Sequence, residues 1–225
     1  MGSAPVPSLK NNAMEKRQNK TKKQIVFGVD EVGRGPLAGP VMACAVAALN
    51  LKSQILNLKS TSKKLNFVRD SKKLSPKQRE KIFDMVKKDP KIKWALGRVG
   101  EGVIDKINIF EATKRAMVRA VLVLEKKLGK KANMLLIDGN FNIPIKRNQQ
   151  SIIKGDEKIP LIALASIIAK VSRDNLMQKQ SKKYPQYGFA KNKGYGTRHH
   201  IDMLNKIGPC KIHRASFAPI KEAHK

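Results

Sequence analysis

The chain has 225 residues, and its 47 lysines and arginines stand against 17 aspartates and glutamates, for a formal net charge of +30. That length suits one compact domain, and 41% hydrophobic residues are enough for a core. The charge points to a polyanionic partner, nucleic acid ahead of an anionic membrane surface. Cys44 and Cys210 are too far apart to form a paired motif, which argues against a zinc or disulfide framework. No N-terminal stretch has a signal-like apolar core, and no apolar run approaches the roughly 18 residues that span a bilayer. The expected class is a cytoplasmic, nucleic-acid-facing protein with no membrane association.

Residues 1–23 are polar and basic without apolar period and read as a disordered arm, so an ordered domain is expected over 24–225. "QIVFGVD", from Gln24, reads as a strand closed by an acid. "GRGPLAGP" is turn chemistry, and "VMACAVAAL" is a second strand that can pair with the first as a hairpin. The lysine-rich run from Leu51 to Leu74 is expected to be part helix, part loop. A helix opens at Ser75, with Ser75 as N-cap, Pro76 in the first turn and Gln78 at the capping-box position. Ile82, Met85 and Val86 form its expected apolar face, and Pro90 stops it.

"IKWALGRVG" is a third strand, and "NIFEATKRAMVRAVLVLEKKLG" predicts a long amphipathic helix from Asn108 to a stop at Gly129. "NMLLIDG" is a fourth strand ending in Asp138, and the short run "QSIIKGD" carries Asp156. "PLIALASIIAKVSRDNLMQ" is apolar around most of its circumference and should be a buried helix. Beyond Lys182 the chain turns polar and glycine-containing, with Thr197 as N-cap of a short helix through His200 and Leu204, and an irregular end. Strands alternating with helices give an α/β fold, and the first hairpin makes its sheet mixed.

Asp30, Glu31, Asp138 and Asp156 each lie at the end of an apolar strand or just before an apolar helix. Functional groups collect at strand ends in α/β sheets, and strands carrying Asp30 and Asp138 could be neighbours. Clustered carboxylates resist shared ionisation, a conflict that a divalent cation resolves. Oxygen ligands without His or Cys select Mg²⁺ or Mn²⁺. Joined to a nucleic-acid-binding surface, such a centre implies phosphodiester cleavage, with two ions about 3.5–4 Å apart able to activate water and stabilise the leaving oxygen. A lone aspartate at a strand end is also an ordinary turn former or helix cap. Spacing by itself leaves both readings open.

"GVDEVGRGPLAGPV" closely resembles the N-terminal signature of type 2 ribonucleases H, the ribonuclease HII group. Four further stretches agree in order: "DSKKLS", "IDG", "KGD" with "IALASIIAKVSRD", and "YGFAKNKGYGT" with "HRASF". The resemblance runs from about Phe27 to Phe217. Leu164 stands where that family's helix usually has alanine, a difference of packing rather than chemistry.

The resemblance implies an RNase H-like mixed sheet flanked by helices, with a C-terminal helical segment. It implies cleavage of the RNA strand of RNA/DNA hybrids and of duplex DNA at embedded ribonucleotides, with Mn²⁺ or Mg²⁺, leaving 3′-hydroxyl and 5′-phosphate ends. Asp30, Glu31, Asp138 and Asp156 match its four metal-binding catalytic carboxylates. The choice of Asp156 over Asp174 rests on that match; Asp174 otherwise reads as a helix surface acid beside Lys170. Gly33-Arg34-Gly35 resembles the loop that reads the ribonucleotide 2′-hydroxyl, and Tyr195 the ring that stacks on the following deoxyribose. Glycine permits close backbone approach to a sugar, and the 2′-hydroxyl both donates and accepts. An ordinary turn and a half-buried aromatic are the plainer readings of those residues.

Lys72, Lys73 and Lys154 are candidate phosphate contacts. His199, His200 and His213 are assigned structural or phosphate-side places, because an oxygen-rich centre needs no imidazole. A monomer is expected. The related ribonuclease HIII carries an extra N-terminal substrate-binding domain, for which residues 1–23 are too short. A non-enzymatic basic RNA-binding protein is the other alternative.

Overall fold

In the computed structural model the described residues are 24–48 and 74–223. The expected arm, most of the lysine-rich run, and Lys72 and Lys73 lie outside them. Strand β1 (Val26–Val32) turns through residues 33–40 into β2 (Val41–Ala48), its antiparallel partner, with Asp30 opposite Cys44. β3 (Ile92–Val99) adds antiparallel to β2, β4 (Met134–Asp138) parallel to β1, and β5 (Gln149–Ile152) parallel to β4. The strand order is β3-β2-β1-β4-β5, the mixed sheet expected of a hairpin joined to crossover helices.

Alternation along the central strands divides the core into two layers. Phe27 and Val29 of β1, Val41, Ala43, Ala45 and Ala47 of β2, and Leu135 and Ile137 of β4 face helix α2 (Glu101–Leu128). The intervening residues face helix α4 (Pro160–Lys183), with α1 (Pro76–Lys88) beside it. Small residues set the spacing. Ala112, Ala116 and Ala120 form an i, i+4 row on α2, and a Cβ on Gly97 would lie 2.0 Å from the Ala116 carbonyl oxygen. On the other face, a Cβ on Gly28 would lie 2.4 Å from the Leu161 carbonyl carbon, so α4 starts directly on β1.

Helix α1 has the full capping box at Ser75 and Gln78. Ile82 and Val86 are buried, but Met85 is 52% exposed and falls off the apolar face. Helix α2 begins seven residues before its expected start. Asn108 interrupts it with φ 64° and ψ 167°, and the Asn108 Oδ1 accepts from the amides of Phe110 and Glu111. The expected start is therefore a genuine internal cap, and the turns before it carry Val103, Ile104 and Ile107 at helical spacing on the same core, over a stretch too short to read as a helix by itself. Strand β5 likewise has only four residues and no apolar alternation.

Helix α3 (Gly155–Lys158) leads into α4. After a 3₁₀ turn (Pro185–Tyr187), α5 (Phe189–Asn192) and α6 (Arg198–Ile207) pack around Ala38, Met177, Tyr187 and Phe189, before the short α7 (Ile220–Ala223). Thr197 occupies the N-cap of α6 without a side-chain capping bond. No helix among the described residues is long and apolar enough to cross a membrane.

Candidate metal and nucleic-acid site

Parallel pairing of β1 with β4 aligns Val29 with Ile137, so Asp30 and Asp138 follow side by side on the α4 face. Glu31 leaves from the other face of the strand end, and its longer side chain reaches the same place. One carboxylate oxygen from each of Asp30, Glu31 and Asp138 lies within 4.8 Å of the others. Asp156 is not part of that set. It is buried in the first turn of α3, directly after Gly155, whose amide donates to Asp138 Oδ1 at 2.6 Å.

Asp30 is 5% exposed and accepts from the Glu31 amide at 2.7 Å. Burial, then Glu31, then Asp138 push its carboxyl well above the ordinary range, against the hydrogen bond with Ser166 on α4. Burial also raises Glu31, opposed by Arg34, whose Nη1 lies 3.3 Å from Glu31 Oε1. Glu31 Oε2 is buried with no hydrogen-bond partner. A buried, unmatched carboxylate oxygen is costly unless a cation receives it. The all-oxygen donor set therefore fits a hard divalent ion.

The turn after these acids is held from behind. Gly33 has φ +86°, and a Cβ there would fall 2.2 Å from Arg173 Nε. Conformation and space both require glycine. Arg214, fully buried, donates to the carbonyls of Gly33 (2.6 Å), Arg34 (2.8 Å) and Gly39 (2.8 and 2.9 Å). Arg173, also fully buried, donates to Ala38 and Pro40 (both 3.1 Å) and to Lys193 (3.0 Å). Burial lowers both guanidinium pKa values, that of Arg214 to about 10, so both stay charged at neutral pH.

Tyr195 stands across this turn. It is 44% exposed, and a Cβ built on Gly35 would lie 3.6 Å from its ring. Its backbone is tied to a buried histidine pair. The Cys210 amide donates to His213 Nδ1 (2.8 Å), while the Cys210 carbonyl already accepts from the His213 amide. His213 therefore carries its proton on Nε2 and donates to His200 Nε2 (2.9 Å); His200 donates from Nδ1 to the Tyr195 carbonyl (2.8 Å). Burial lowers both imidazoles, that of His213 to about 4.

His200 and His213 thus hold structural places, and His199 contacts the Gln186 carbonyl at 3.1 Å. Asp174 pairs with Lys170 at 2.9 Å on the helix surface, apart from the acidic cluster. Lys154 is exposed in the left-handed conformation (φ 55°), next to the Gly155 amide that binds Asp138. Sequence reasoning assigned no role to Arg173 or Arg214. A signal existed for Arg173, which lies four residues from both Ala169 and Met177, on the apolar arc of α4.

The sequence pattern of the family Ribonuclease HII matches residues 27–220. A ribonuclease HII of Chlamydia caviae is 48% identical over 198 residues, 88% of this chain and 86% of its own. The solved ribonuclease H2 of Pyrococcus horikoshii superposes with a TM-score of 0.67 at 25% identity, covering 88% of this chain and 96% of that one. Bst-RNase HIII in complex with Mn²⁺ shares the fold, with a TM-score of 0.66 at 16% identity over 91% of this chain and 70% of its own. Strand-end acids on adjacent parallel strands and near full-length similarity lead to one assignment: the chain belongs to the ribonuclease HII family, divalent-metal-dependent endoribonucleases that hydrolyse the RNA strand of RNA/DNA hybrids.

Proposed function

We propose that this ribonuclease H also nicks duplex DNA on the 5′ side of single embedded ribonucleotides, leaving 3′-hydroxyl and 5′-phosphate ends. The observation that carries the catalytic centre is the buried Glu31 Oε2, without a hydrogen-bond partner inside a three-carboxylate cluster. Asp30, Glu31 and Asp138 hold Mn²⁺ or Mg²⁺, with Asp156 completing the set from the first turn of α3. Such ions lower the pKa of bound water and stabilise charge on the attacking and leaving oxygens. The Gly155 amide holds Asp138 Oδ1, and Arg34 steadies Glu31.

Gly33, Arg34 and Gly35 read the 2′-hydroxyl through the backbone, where glycine admits the sugar. Tyr195 packs on the next sugar and disfavours a second 2′-hydroxyl. Lys154, with Lys72 and Lys73 outside the described residues, contacts phosphates. The catalytic domain spans 24–225 and acts as a cytoplasmic monomer away from membranes.

The test is incubation of labelled duplex DNA containing one ribonucleotide with Mn²⁺ or Mg²⁺, with and without chelator. Chelator-sensitive nicking 5′ of the ribonucleotide is expected. Binding without nicking would identify a non-catalytic binder, and cleavage of continuous hybrid alone would remove the single-ribonucleotide activity.

A further inference from the structure

The Gly33–Pro40 turn has the chemistry of a flexible loop, with three glycines and two prolines in eight residues. It is nonetheless anchored at five carbonyls by two side chains. Arg214 takes Gly33, Arg34 and Gly39, and Arg173 takes Ala38 and Pro40. In a trans peptide the N–H points opposite to the preceding C=O. With the Gly33 and Arg34 carbonyls turned inward, the amides of Arg34 and Gly35 face the exposed side of the turn. No hydrogen bond among the described residues uses either amide.

We propose that Arg214 and Arg173 are the positioning residues for ribose recognition: by fixing these carbonyls they hold the Arg34 and Gly35 amides outward as a preformed donor pair for the sugar beside the acids. The inference rests on the reading of Gly33-Arg34-Gly35 as the ribose reader.

The same arginines join the reader to Tyr195. Arg173 Nη1 donates to the Lys193 carbonyl, two residues before Tyr195. The Leu37 amide donates to the Gly194 carbonyl (2.8 Å), and the Arg214 amide to the Leu37 carbonyl (2.9 Å). Arg214 is itself braced. Phe217 lies 4.9 Å from its guanidinium, and Asp105 accepts from the amides of Ala215 and Ser216. Neither guanidinium has a carboxylate partner within hydrogen-bond distance among the described residues; all their acceptors are backbone carbonyls. Two buried, adjacent cations without a paired acid are an expensive way merely to fill a core, and a planar fork spanning several carbonyls is what arginine offers over lysine.

Arg214→Lys and Arg173→Lys keep the charge and remove the fork. Single-turnover cleavage of duplex DNA with one ribonucleotide, duplex affinity by fluorescence anisotropy in Ca²⁺, and melting temperature are measured for each. The expected result for Arg214→Lys is a cleavage rate lower by about 10- to 100-fold, the scale of a small misplacement of reacting groups. Duplex affinity should stay within about twofold, because phosphate contacts dominate it. Arg173→Lys should show the same split with a smaller loss. A wild-type cleavage rate in both variants overturns the proposal. So does a loss of rate matched by equal losses of affinity and melting temperature, which would make the pair architectural only. If the unaltered protein cuts continuous hybrid but not the single-ribonucleotide duplex, the ribose-reading assignment itself falls, and this inference with it.

Discussion

Two charge clusters flank the glycine turn, and they are built on opposite terms. The strand-end acids Asp30, Glu31 and Asp138 crowd like charges together and leave Glu31 Oε2 unmatched. The guanidiniums of Arg173 and Arg214 are buried more completely, and five of the carbonyls they bind belong to a single turn. Unmet charge marks the place that receives something from outside. Fully met charge marks the place that must not move. The first cluster is poised for a cation, and the second gives shape to the loop beside it.

The strongest way to break the acidic half is to neutralise it. Asp30→Asn or Asp138→Asn should reduce cleavage by on the order of 10²–10³-fold or more, the scale for losing a preorganised electrostatic group. Duplex affinity by anisotropy should remain largely intact. Normal turnover by Asp138→Asn would remove the acids from the chemistry. In chelator, Asp30→Asn should raise the melting temperature. A carboxyl raised by burial and neighbouring acids contributes stability below its ordinary range, lost as pH rises through its folded value. The variant should therefore flatten the decline in stability with rising pH that is expected of the metal-free protein.

The shape-holding half breaks at Gly33. Gly33→Ala meets both φ +86° and the Arg173 Nε at 2.2 Å. A loss of about 2–4 kcal/mol in urea unfolding is expected, from backbone strain together with overpacking. Wild-type stability would show that the turn can relax around a methyl group.

The histidine pair adds a pH dependence of opposite sign to that of the acids. His213 titrates near 4 when folded, against about 6.5 when unfolded. Its contribution is complete above about pH 6.5 and is lost as pH falls toward 4, about 3 kcal/mol in all. His213→Gln should be less stable at pH 7 but less sensitive to acid, as read by unfolding midpoints between pH 7 and pH 4.5. Tyr195→Ala should weaken cleavage at RNA–DNA junctions several-fold and leave the melting temperature nearly unchanged. Equal junction cleavage would remove its stacking role. Asp174→Asn should change least: loss of a half-buried i, i+4 surface pair with Lys170 costs about 0.3–0.5 kcal/mol. Its activity should stay near wild type, whereas Asp156→Asn should lose cleavage.

Much of this frame is legible without coordinates. Ser75, Pro76 and Gln78 mark the start of α1 because capping is local chemistry. Apolar strands ending in Asp30 and Asp138 suggest neighbours, and β1 and β4 do pair in parallel. Illegible parts share a different cause. The segment before Asn108 has Val103, Ile104 and Ile107 at helical spacing but spans only residues 101–107, too short a window to establish a helix, so the true start of α2 is hidden behind an internal cap. Met85 has helical spacing but lies beyond the reach of the core.

The alternation of strands and helices, the acids at strand ends, the glycine turn that follows them and the basic composition can all be read from the residues in order. These depend on residue type and on separations of a few positions. Long-range packing is what brings three acids to one point with Asp156 following Gly155, sets the histidine tautomers through the Cys210 amide, and turns Arg173 and Arg214 onto the glycine turn. The bonds from Arg173 to Pro40 and from Arg214 to Gly33 join residues 133 and 181 positions apart. No local periodicity encodes such distances. They are set when α4 closes onto Gly28 and the C-terminal segment packs against the turn, and burial then leaves each guanidinium only the carbonyls that face it.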